Sequence, residues 1–274
     1  MSKHSESRSR GRPDDLSEDW DDEWQTATAE LDQPILCQDQ HTLSLQFDAE
    51  GVQSQMHMKR PYELMLGYTR TMMGFLLFAP EPRQVLMIGL GGGSMPKYGY
   101  AFVPSTVITV VEINPQVIGL RHTFRIPDDD ERLQVLCADG AEYVRFTKQR
   151  FDAIVVDGFT ADGQPDQLCS QRFYSDCYRC LKPEGVLAVN LHHVDRLEHN
   201  LRHMGRAFKR SLVVIDSDDS CNKVAFAYKG EMDAALARFD TRLQQLREHH
   251  SLKLHLSAQL IRRDWQAGTS SVLP

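Results

Sequence analysis

Apolar and polar positions change their spacing several times along the chain. Short alternating stretches over residues 34–58 are typical of a small antiparallel β-ribbon. Residues 61–79 instead carry apolar side chains at helical spacing, with Pro61 at the start and Pro80 just behind. From Gln84 onward, short apolar runs alternate with helix-like stretches. The pattern predicts a ribbon, then a helix, then a repeating strand–helix region.

The repeating region predicts a sheet covered by helices. Apolar or β-branched runs predict strands over residues 85–88, 106–112, 133–138, 151–157 and 186–191, and predicted helices separate them. The last two strand-like runs, 211–215 and 223–228, follow each other without a helix and predict an antiparallel pair. Since parallel neighbours need crossover helices, we predict an α/β fold with a doubly wound, largely parallel sheet.

Composition divides the chain into four regions. Residues 1–32 carry ten acidic and four basic residues and few aromatic ones, which predicts a disordered acidic tail. Residues 33–60 predict a small N-terminal β domain, and residues 61–230 predict the large α/β domain. A charged amphipathic helix over residues 231–250 begins a C-terminal segment that extends over residues 231–274.

Bulk composition excludes several classes of protein. The 274 residues are 41% hydrophobic and 25% charged, which is ordinary for a globular protein. No apolar run approaches the ~20 residues that a membrane helix requires, and the polar start lacks the apolar core of a secretory signal. The net charge of −7 comes without a basic face for nucleic acid. We therefore expect a cytoplasmic protein without a membrane or nucleic-acid partner.

The six cysteines are scattered along the chain, as in proteins of reducing compartments. Cys177 and Cys180 form a CxxC pair, but the pair lies within a predicted helix. No second CxxC and no paired histidines accompany it. We expect these cysteines to pack as thiols and expect no metal site.

The most informative motif follows the first strand of the repeating region. The sequence Gly-Leu-Gly-Gly-Gly-Ser of residues 89–94 predicts a turn without bulky side chains at the carboxyl end of a buried strand. Open α/β sheets bind ligands at that end, where backbone amides can face the ligand. The glycines that we expect to contact a ligand are Gly89, Gly91, Gly92 and Gly93.

Acidic residues end the next three strands. Glu112 follows the second strand and could accept hydrogen bonds from the two hydroxyls of a ribose, or could be a plain surface acid. Asp139 follows the third strand and could bind an adenine amino group, although aspartate is also a good helix N-cap. Asp157 follows the fourth strand and could hold an amine or accept its proton, and Asp162 in the next loop either shares this role or is solvated.

These motifs resemble the spermidine synthase family of polyamine aminopropyltransferases, and especially its glycine-variant, spermidine synthase-like branch. The resemblance covers residues from about 40 to 229, and its motifs occur in the family's order. They are Val52–Ser54, Gly89–Ser94, Val110–Pro115, Ala138–Ala141, Phe151–Asp157, Phe173-Tyr174 and Leu181–Val186.

The resemblance implies a Rossmann-like, methyltransferase-type domain over residues 61–230, a small β domain before it, and a homodimer. It implies aminopropyl transfer from decarboxylated S-adenosylmethionine to a polyamine or another amine. By resemblance, Glu112 holds the ribose, and Asp139 with Gly140 holds the adenine. Asp157 holds the reacting amine, and Gln53 lies near the nucleoside and thioether.

The sequence departs from the family pattern at three places. The family's synthases carry an aspartate in the glycine turn that pairs with the donor's amino group, and Gly92 stands there. They carry two aspartates three residues apart in the fourth loop, whereas Asp157 is followed by Asp162. They also place acidic contacts where this chain has Thr69-Arg70. Because a buried ammonium needs carboxylate partners, these departures indicate an altered acceptor, a weak one or a different donor.

Three other functions compete with aminopropyl transfer. A methyltransferase that uses S-adenosylmethionine on a small molecule would have the same fold and nucleoside site, and Gly92 leaves room for the donor's carboxylate. A catalytically silent homologue would keep only the nucleoside pocket. A nicotinamide dehydrogenase would require glycine at position 94, where this chain has serine.

Overall fold

The structure is a computed structural model that describes residues 31–47, 51–191, 196–218 and 222–268. The chain divides into two units, Met1–Leu31 and Asp32–Pro274, and all the described strands and helices belong to the second. The acidic tail predicted over residues 1–32 lies outside the described residues except for Leu31 and Asp32. The last six residues of the predicted C-terminal segment also lie outside them.

A small antiparallel sheet forms the start of the second unit. Its strands, in the order β1-β2-β3, are β1 (Ile35–Gln38), β2 (Thr42–Gln46) and β3 (Val52–His57). The alternation of the sequence puts Leu43, Leu45 and Met56 on one face, where they are buried in the same core as the larger sheet. The predicted N-terminal β-ribbon is confirmed.

The helix after this sheet is shorter than its sequence pattern predicts. Helix α1 (Gly67–Met72) continues as a 3-10 helix over Met73–Leu77, and residues 61–66 form turns instead. The Arg70 guanidinium explains the late start, because its Nη1 donates to the carbonyl oxygens of Leu64 (2.9 Å) and Met65 (2.8 Å). A side chain thus takes hydrogen bonds that a helical backbone would otherwise make.

The large sheet has seven strands in the described part of the chain. They are β4 (Gln84–Ile88), β5 (Val107–Glu112), β6 (Leu133–Cys137), β7 (Phe151–Val156), β8 (Leu181–Leu191), β9 (Leu212–Asp216) and β10 (Lys223–Tyr228). Their order is β6-β5-β4-β7-β8-β10-β9, and β10 runs antiparallel to both neighbours. The predicted doubly wound sheet and its final antiparallel pair are confirmed. The order reverses between β4 and β7, where such sheets bind ligands.

Helices cover both faces of this sheet and create two cores. The helices are α2 (Ser94–Phe102), α3 (Pro115–Gly119), α4 (Gly140–Phe146), α5 (Gln171–Cys180), α6 (Leu197–Ala207), α7 (Met232–Ala237), α8 (Phe239–Arg247) and α9 (Leu254–Gln266). Alternation along β4 buries Val85 and Met87 in one core and Leu86 and Ile88 in the other. No helix in the described ranges is long and apolar enough to cross a membrane.

Two boundaries differ from the sequence pattern. Strand β8 begins at Leu181 rather than at Val186, because Leu181 already pairs with Phe151 of β7 before the register shifts. The helix predicted over residues 231–250 is divided into α7 and α8 at Arg238. Neither difference moves the carboxyl ends of β4, β5 and β7, where the candidate residues lie.

Candidate active site

The carboxyl ends of β4 and β7 lie in direct contact at the point where the strand order reverses. Gly89 has a φ of +96°, and a Cβ atom built on it would lie 2.2 Å from the carbonyl oxygen of Asp157. Only glycine fits at position 89, because any side chain would collide with the neighbouring backbone. The Asp157 amide donates to the carbonyl of Ile88 at 2.8 Å, and the Gly89 amide donates to the carbonyl of Val111 at 2.9 Å. These two bonds tie together the ends of three neighbouring strands.

The other glycines of the turn face protein atoms rather than open space. A Cβ atom on Gly92 would lie 2.7 Å from both the Phe124 ring and the Ser54 hydroxyl, and one on Gly93 would lie 2.4 Å from Ile126. Gly91 has a φ of +51° and only an ordinary contact, at 3.5 Å, with Ser54. Packing therefore requires glycine at positions 92 and 93, and the positive φ favours it at position 91. The amides of Gly89, Leu90 and Gly93 donate to acceptors within the protein.

Glu112 is buried at the end of β5 and holds the glycine turn. Its Oε2 accepts from the amide of Leu90 and its Oε1 from the amide of Asn114, both at 2.8 Å. Burial raises the pKa of Glu112, and hydrogen bonds from surrounding backbone amides oppose the rise. The backbone amides of Gly91 and Ile113 also hydrogen-bond this carboxylate, so a ribose hydroxyl would share its oxygens with the protein backbone.

Asp139 is the N-cap of α4. Its Oδ1 accepts from the amides of Ala141 (2.6 Å) and Glu142 (3.1 Å), so the capping role considered from the sequence is present. Both bonds use the same oxygen, which leaves Oδ2 to other partners. Gly140 follows directly, and a Cβ atom on it would lie 2.4 Å from Ile88 of β4. The close approach brings the start of α4 against the end of β4.

Asp157 directly follows β7 and is partly shielded from water. It lies at the candidate crevice, which is the region between the glycine turn of residues 89–94 and the carboxyl ends of β5 and β7. Asn190 of β8 donates from Nδ2 to Asp157 Oδ1 at 2.8 Å, and the Tyr68 hydroxyl of α1 also hydrogen-bonds the carboxylate. Burial raises the pKa of Asp157 to about 6, and these two hydrogen bonds limit the rise. A carboxyl group that titrates near neutral pH is suited to accept a proton from a reacting amine.

The small sheet contributes to this crevice through Gln53. The Tyr68 hydroxyl shares its one proton between the Asp157 carboxylate and the backbone carbonyl of Gln53, which lies 3.0 Å away, so β3 lies beside Asp157. The neighbouring residue Ser54 approaches Ser94, at the start of α2, with 3.4 Å between the two hydroxyl oxygens. The sheet and the glycine turn therefore form one continuous wall.

Asp162 lies in the loop that follows β7. It is exposed in the turn between Thr160 and Gly163, whose backbones pair with each other at 2.9 and 3.1 Å. Asp32 reaches the same loop, because its Oδ2 accepts from the amide of Ala161 at 2.7 Å while its carbonyl accepts from Asn114 Nδ2 at 2.8 Å. Asp32 thus bridges the segments that follow β7 and β5.

The positively charged Arg70, which stands where the family's synthases carry acidic contacts, has a structural partner. Its Nε donates to Asp218 Oδ2 at 3.0 Å, and its Nη1 donates to the carbonyls of Leu64 and Met65, which precede α1. Arg70 therefore neutralises Asp218 and links the start of α1 to the segment between β9 and β10.

Sequence reasoning misses several residues of the site. Tyr68 is one of the apolar positions in the helical pattern, and only its hydroxyl indicates a polar partner. Asn190 is a polar residue within the apolar run of β8, and a buried amide needs a hydrogen-bond partner, so this signal is readable. Phe124 carries no signal, because its contact with Gly92 arises from tertiary packing.

The cysteine pair belongs to the core rather than to the crevice. Cys177 and Cys180 are both buried on α5, and the Cys180 thiol donates to the carbonyl of Val144 at 3.1 Å. Burial raises the pKa of both thiols. Within the described ranges, no group of three or more histidine, cysteine, aspartate or glutamate side chains is arranged to hold a metal ion.

Comparisons with known proteins found similar sequences and similar folds. The sequence model of the spermine/spermidine synthase domain matches residues 65–216. A polyamine aminopropyltransferase of Chromobacterium violaceum is 42% identical over 148 residues, which are 54% of this chain and 57% of that protein. One from Neisseria meningitidis is 32% identical over 216 residues, which are 77% of this chain and 82% of that protein.

A solved structure extends the comparison to the fold. A spermidine synthase in complex with the transition-state analogue AdoDATO superposes with a TM-score of 0.61 at 21% identity. The match covers 84% of this chain and 85% of the other. At this identity the likeness concerns the fold alone.

Proposed function

We propose that this chain, which belongs to the spermine/spermidine synthase family, transfers an aminopropyl group from decarboxylated S-adenosylmethionine to an amine. The observation that carries the proposal is the position of Asp157, whose backbone carbonyl lies against Gly89 at the reversal of the strand order and whose carboxylate accepts from Asn190. The names of the relatives support aminopropyl transfer over methyl transfer or a silent pocket.

The proposed reaction is a direct displacement. The amine nitrogen attacks the carbon next to the donor's sulfonium, the new C–N bond forms, and the C–S bond breaks with its electron pair going to sulfur. The proton lost by the nitrogen passes to the Asp157 carboxylate, and methylthioadenosine leaves. Alignment of the two substrates supplies much of the rate, because the step itself requires little covalent help from the protein.

We assign the donor contacts by residue. Glu112 holds the ribose, Asp139 and Gly140 hold the adenine, and the backbone of the glycine turn lies against the rest of the nucleoside. The buried carboxylate of Glu112 supports this assignment, since it already fixes the turn through Leu90. Gln53 lies beside Tyr68 and is proposed near the thioether.

The proposed function extends to a second acid, an assembly and a location. Asp162 assists Asp157 when the loop after β7 meets the acceptor. The protein works as a homodimer, and the exposed apolar side chains Ile35, Leu36 and Val52 on the small sheet support an interface there. Light scattering of the purified chain measures its mass directly. A cytoplasmic location and the lack of membrane or nucleic-acid partners stay predictions from the sequence.

The decisive experiment offers both donors to the purified protein. Decarboxylated S-adenosylmethionine or S-adenosylmethionine is incubated with a panel of diamines and polyamines, and mass spectrometry detects aminopropylated or methylated products. We expect methylthioadenosine and an aminopropylated amine with the decarboxylated donor alone. Methylated product from S-adenosylmethionine, or donor binding without turnover on any amine, would overturn the proposal.

A matched pair of variants tests the role of Asp157. Asp157→Asn removes the proton acceptor and is expected to lower kcat ~100-fold or more, with affinity for methylthioadenosine changed only a few-fold. Asp240→Asn makes the same change on α8, where Asp240 pairs with Arg262 on the surface, and is expected to leave turnover unchanged.

A further inference from the structure

A chain of two buried amides leads away from Asp157. Asn190, 3% exposed, donates from Nδ2 to Asp157 Oδ1 at 2.8 Å. Asn222, 8% exposed, donates from its own Nδ2 to Asn190 Oδ1 at 2.7 Å. Asn222 directly precedes β10, which pairs with β8 so that Val224 lies opposite Asn190. The sheet therefore holds the two amides in line.

Hydrogen-bond chemistry fixes the direction of this chain. A carboxylate only accepts, and an asparagine side chain has one accepting oxygen and one donating nitrogen. With the Asn222 nitrogen facing Asn190, the Asn190 oxygen is used, and its nitrogen must face Asp157. The reverse orientation would bring the Asn190 oxygen against a carboxylate oxygen, which is repulsive.

Asn222 itself is anchored by its backbone. Its amide donates to the Ser217 hydroxyl at 3.1 Å, and its carbonyl accepts from the Ser217 amide at 2.8 Å. Ser217 is also buried and follows β9 directly. The start of the amide chain is thus held by the backbone of the β9–β10 connection, and its end reaches the proposed reacting group.

We propose that Asn222 is a positioning residue that acts through Asn190 to hold the Asp157 carboxylate fixed and ready to accept a proton. The proposal rests on the proposed role of Asp157. Among the described residues, Asn190 of β8 and Tyr68 of α1 are the side chains that hydrogen-bond this carboxylate. The Gln53 carbonyl competes with Asp157 for the Tyr68 hydroxyl proton, whereas the Asn190 nitrogen donates to Asp157.

The experiment replaces the hydrogen-bond donor of Asn222, at the start of the amide chain, with an acceptor. Asn222→Asp is nearly isosteric, but its carboxylate only accepts, so two carboxylates compete for the one NH₂ group of Asn190 and the Asn190 nitrogen is drawn away from Asp157. We expect the pKa of Asp157 to rise by about one unit or more, because its charged form loses a donor and gains a repulsive neighbour. The pKa is read from the carboxyl carbon of Asp157 by NMR, with Asp157→Asn identifying the signal. At pH 7 this shift lowers the ionised fraction of Asp157 from ~0.9 to ~0.5, so kcat is expected to fall about twofold or more while the donor KM stays within about twofold.

A double-mutant cycle separates orientation from the field of the added charge. In an Asn190→Leu background the hydrogen bonds that connect Asn222 to Asp157 are absent, so Asn222→Asp acts on Asp157 through its charge alone. The proposal requires a larger shift in the pKa of Asp157 with Asn190 present than with leucine there. Equal shifts in both backgrounds would overturn it.

Controls address folding and the proposed function separately. Asn200→Asp introduces the same buried carboxylate at another place in the fold. Asn200 of α6 is 4% exposed and donates to Gln164 Oε1 at 3.2 Å. This variant is expected to leave the pKa of Asp157 unchanged. If Asn222→Asp does not fold, Asn222→Leu, which removes the donor without a charge, must still lower kcat, and an unchanged kcat would overturn the proposal. The pKa of Asp157 is measured by NMR without turnover. The positioning role of Asn222 can therefore fail or hold independently of the proposed aminopropyl transfer.

Discussion

The ammonium group of Lys97 donates to the backbone carbonyl of Phe124 at 2.7 Å, and the lysine is fully shielded from solvent. Lys97 lies on α2 directly behind the glycine turn, and Phe124 covers Gly92. The contact therefore holds in place the residue that closes the turn.

Burial of Lys97 makes the stability of the protein depend on pH in the alkaline range. Burial, helped by nearby Arg125, lowers the pKa of Lys97 to about 8 from 10.5. Between these two values the unfolded chain binds more protons than the folded one, so the free energy of unfolding rises with pH, by about 3 kcal/mol in total. We expect Lys97→Met to abolish this rise in urea titrations across the alkaline range. Exposed Lys148→Met should retain it, and retention in Lys97→Met would contradict the prediction.

Gly89→Ala tests the contact between the ends of β4 and β7. The φ of +96° and the 2.2 Å approach to the Asp157 carbonyl leave no room for a methyl group, so the two strand ends must separate. We expect a loss of ~2 kcal/mol or more in unfolding free energy, together with a fall in kcat, because Asp157 moves with its backbone. Gly119→Ala is the control, since a Cβ atom there meets nothing within 4 Å. Equal stability of the two variants would refute the geometric reason.

Glu112→Gln tests the assignment of the ribose contact. Each carboxylate oxygen accepts from a backbone amide, and glutamine must turn its own NH₂ toward either Leu90 or Asn114. We expect one lost hydrogen bond, ~1–3 kcal/mol in stability, and about a tenfold or greater loss of affinity for methylthioadenosine by calorimetry. Glu142→Gln, on the exposed side of α4, should bind normally. Normal affinity in folded Glu112→Gln would remove Glu112 from the donor site.

Asp139→Ser distinguishes capping from adenine recognition. Serine can accept from the amides of Ala141 and Glu142 as an N-cap, so we expect the melting temperature to stay close to wild type, whereas Asp139→Ala should lose ~1 kcal/mol. Both variants remove the second carboxylate oxygen and are expected to weaken methylthioadenosine binding equally. If the serine variant binds as well as wild type, Asp139 is a cap alone.

The pKa of Asp157 predicts the acid limb of the pH profile. Since the carboxylate is the proposed proton acceptor and burial raises its pKa to about 6, kcat/KM is expected to rise through about pH 6 and to level off above about pH 7. Stability has the opposite sign, because the folded state binds this proton more tightly than the unfolded chain. The contribution is therefore present below about pH 4 and is lost as the pH rises through about 6. Denaturation of Asp157→Asn across this range should lack that decline, and an unchanged decline would contradict the prediction.

Much of the fold was readable because each strand of the large sheet is a short apolar run. The β-branched run that ends at Glu112 and the apolar run that ends at Val156 both lie where the pattern predicted. Parallel strands place their carboxyl ends at one edge, so the acids that follow them could be located without coordinates. The capping alternative for Asp139 was equally visible, because its chemistry is local.

Contacts between distant segments were not readable. Phe124 follows α3, about thirty residues beyond Gly92, and no local rule brings the two together. The same is true of Asn222, whose amide matters only because β10 inserts between β8 and β9. The late start of α1 depends on Arg70 reaching back to Leu64 and Met65, a side-chain contact that overrides helical spacing.

The crowding around Gly92 limits how this turn can change during evolution or engineering. A Gly92→Asp exchange would bring the new side chain into collision with Phe124 and Ser54. The hydrogen bond from Lys97 to the Phe124 carbonyl restricts how far Phe124 can move away. An acidic residue at position 92 would require smaller side chains in place of Phe124 or Ser54 beforehand. The two forms of the turn are therefore separated by several coordinated substitutions, and intermediates that change position 92 first would fold poorly.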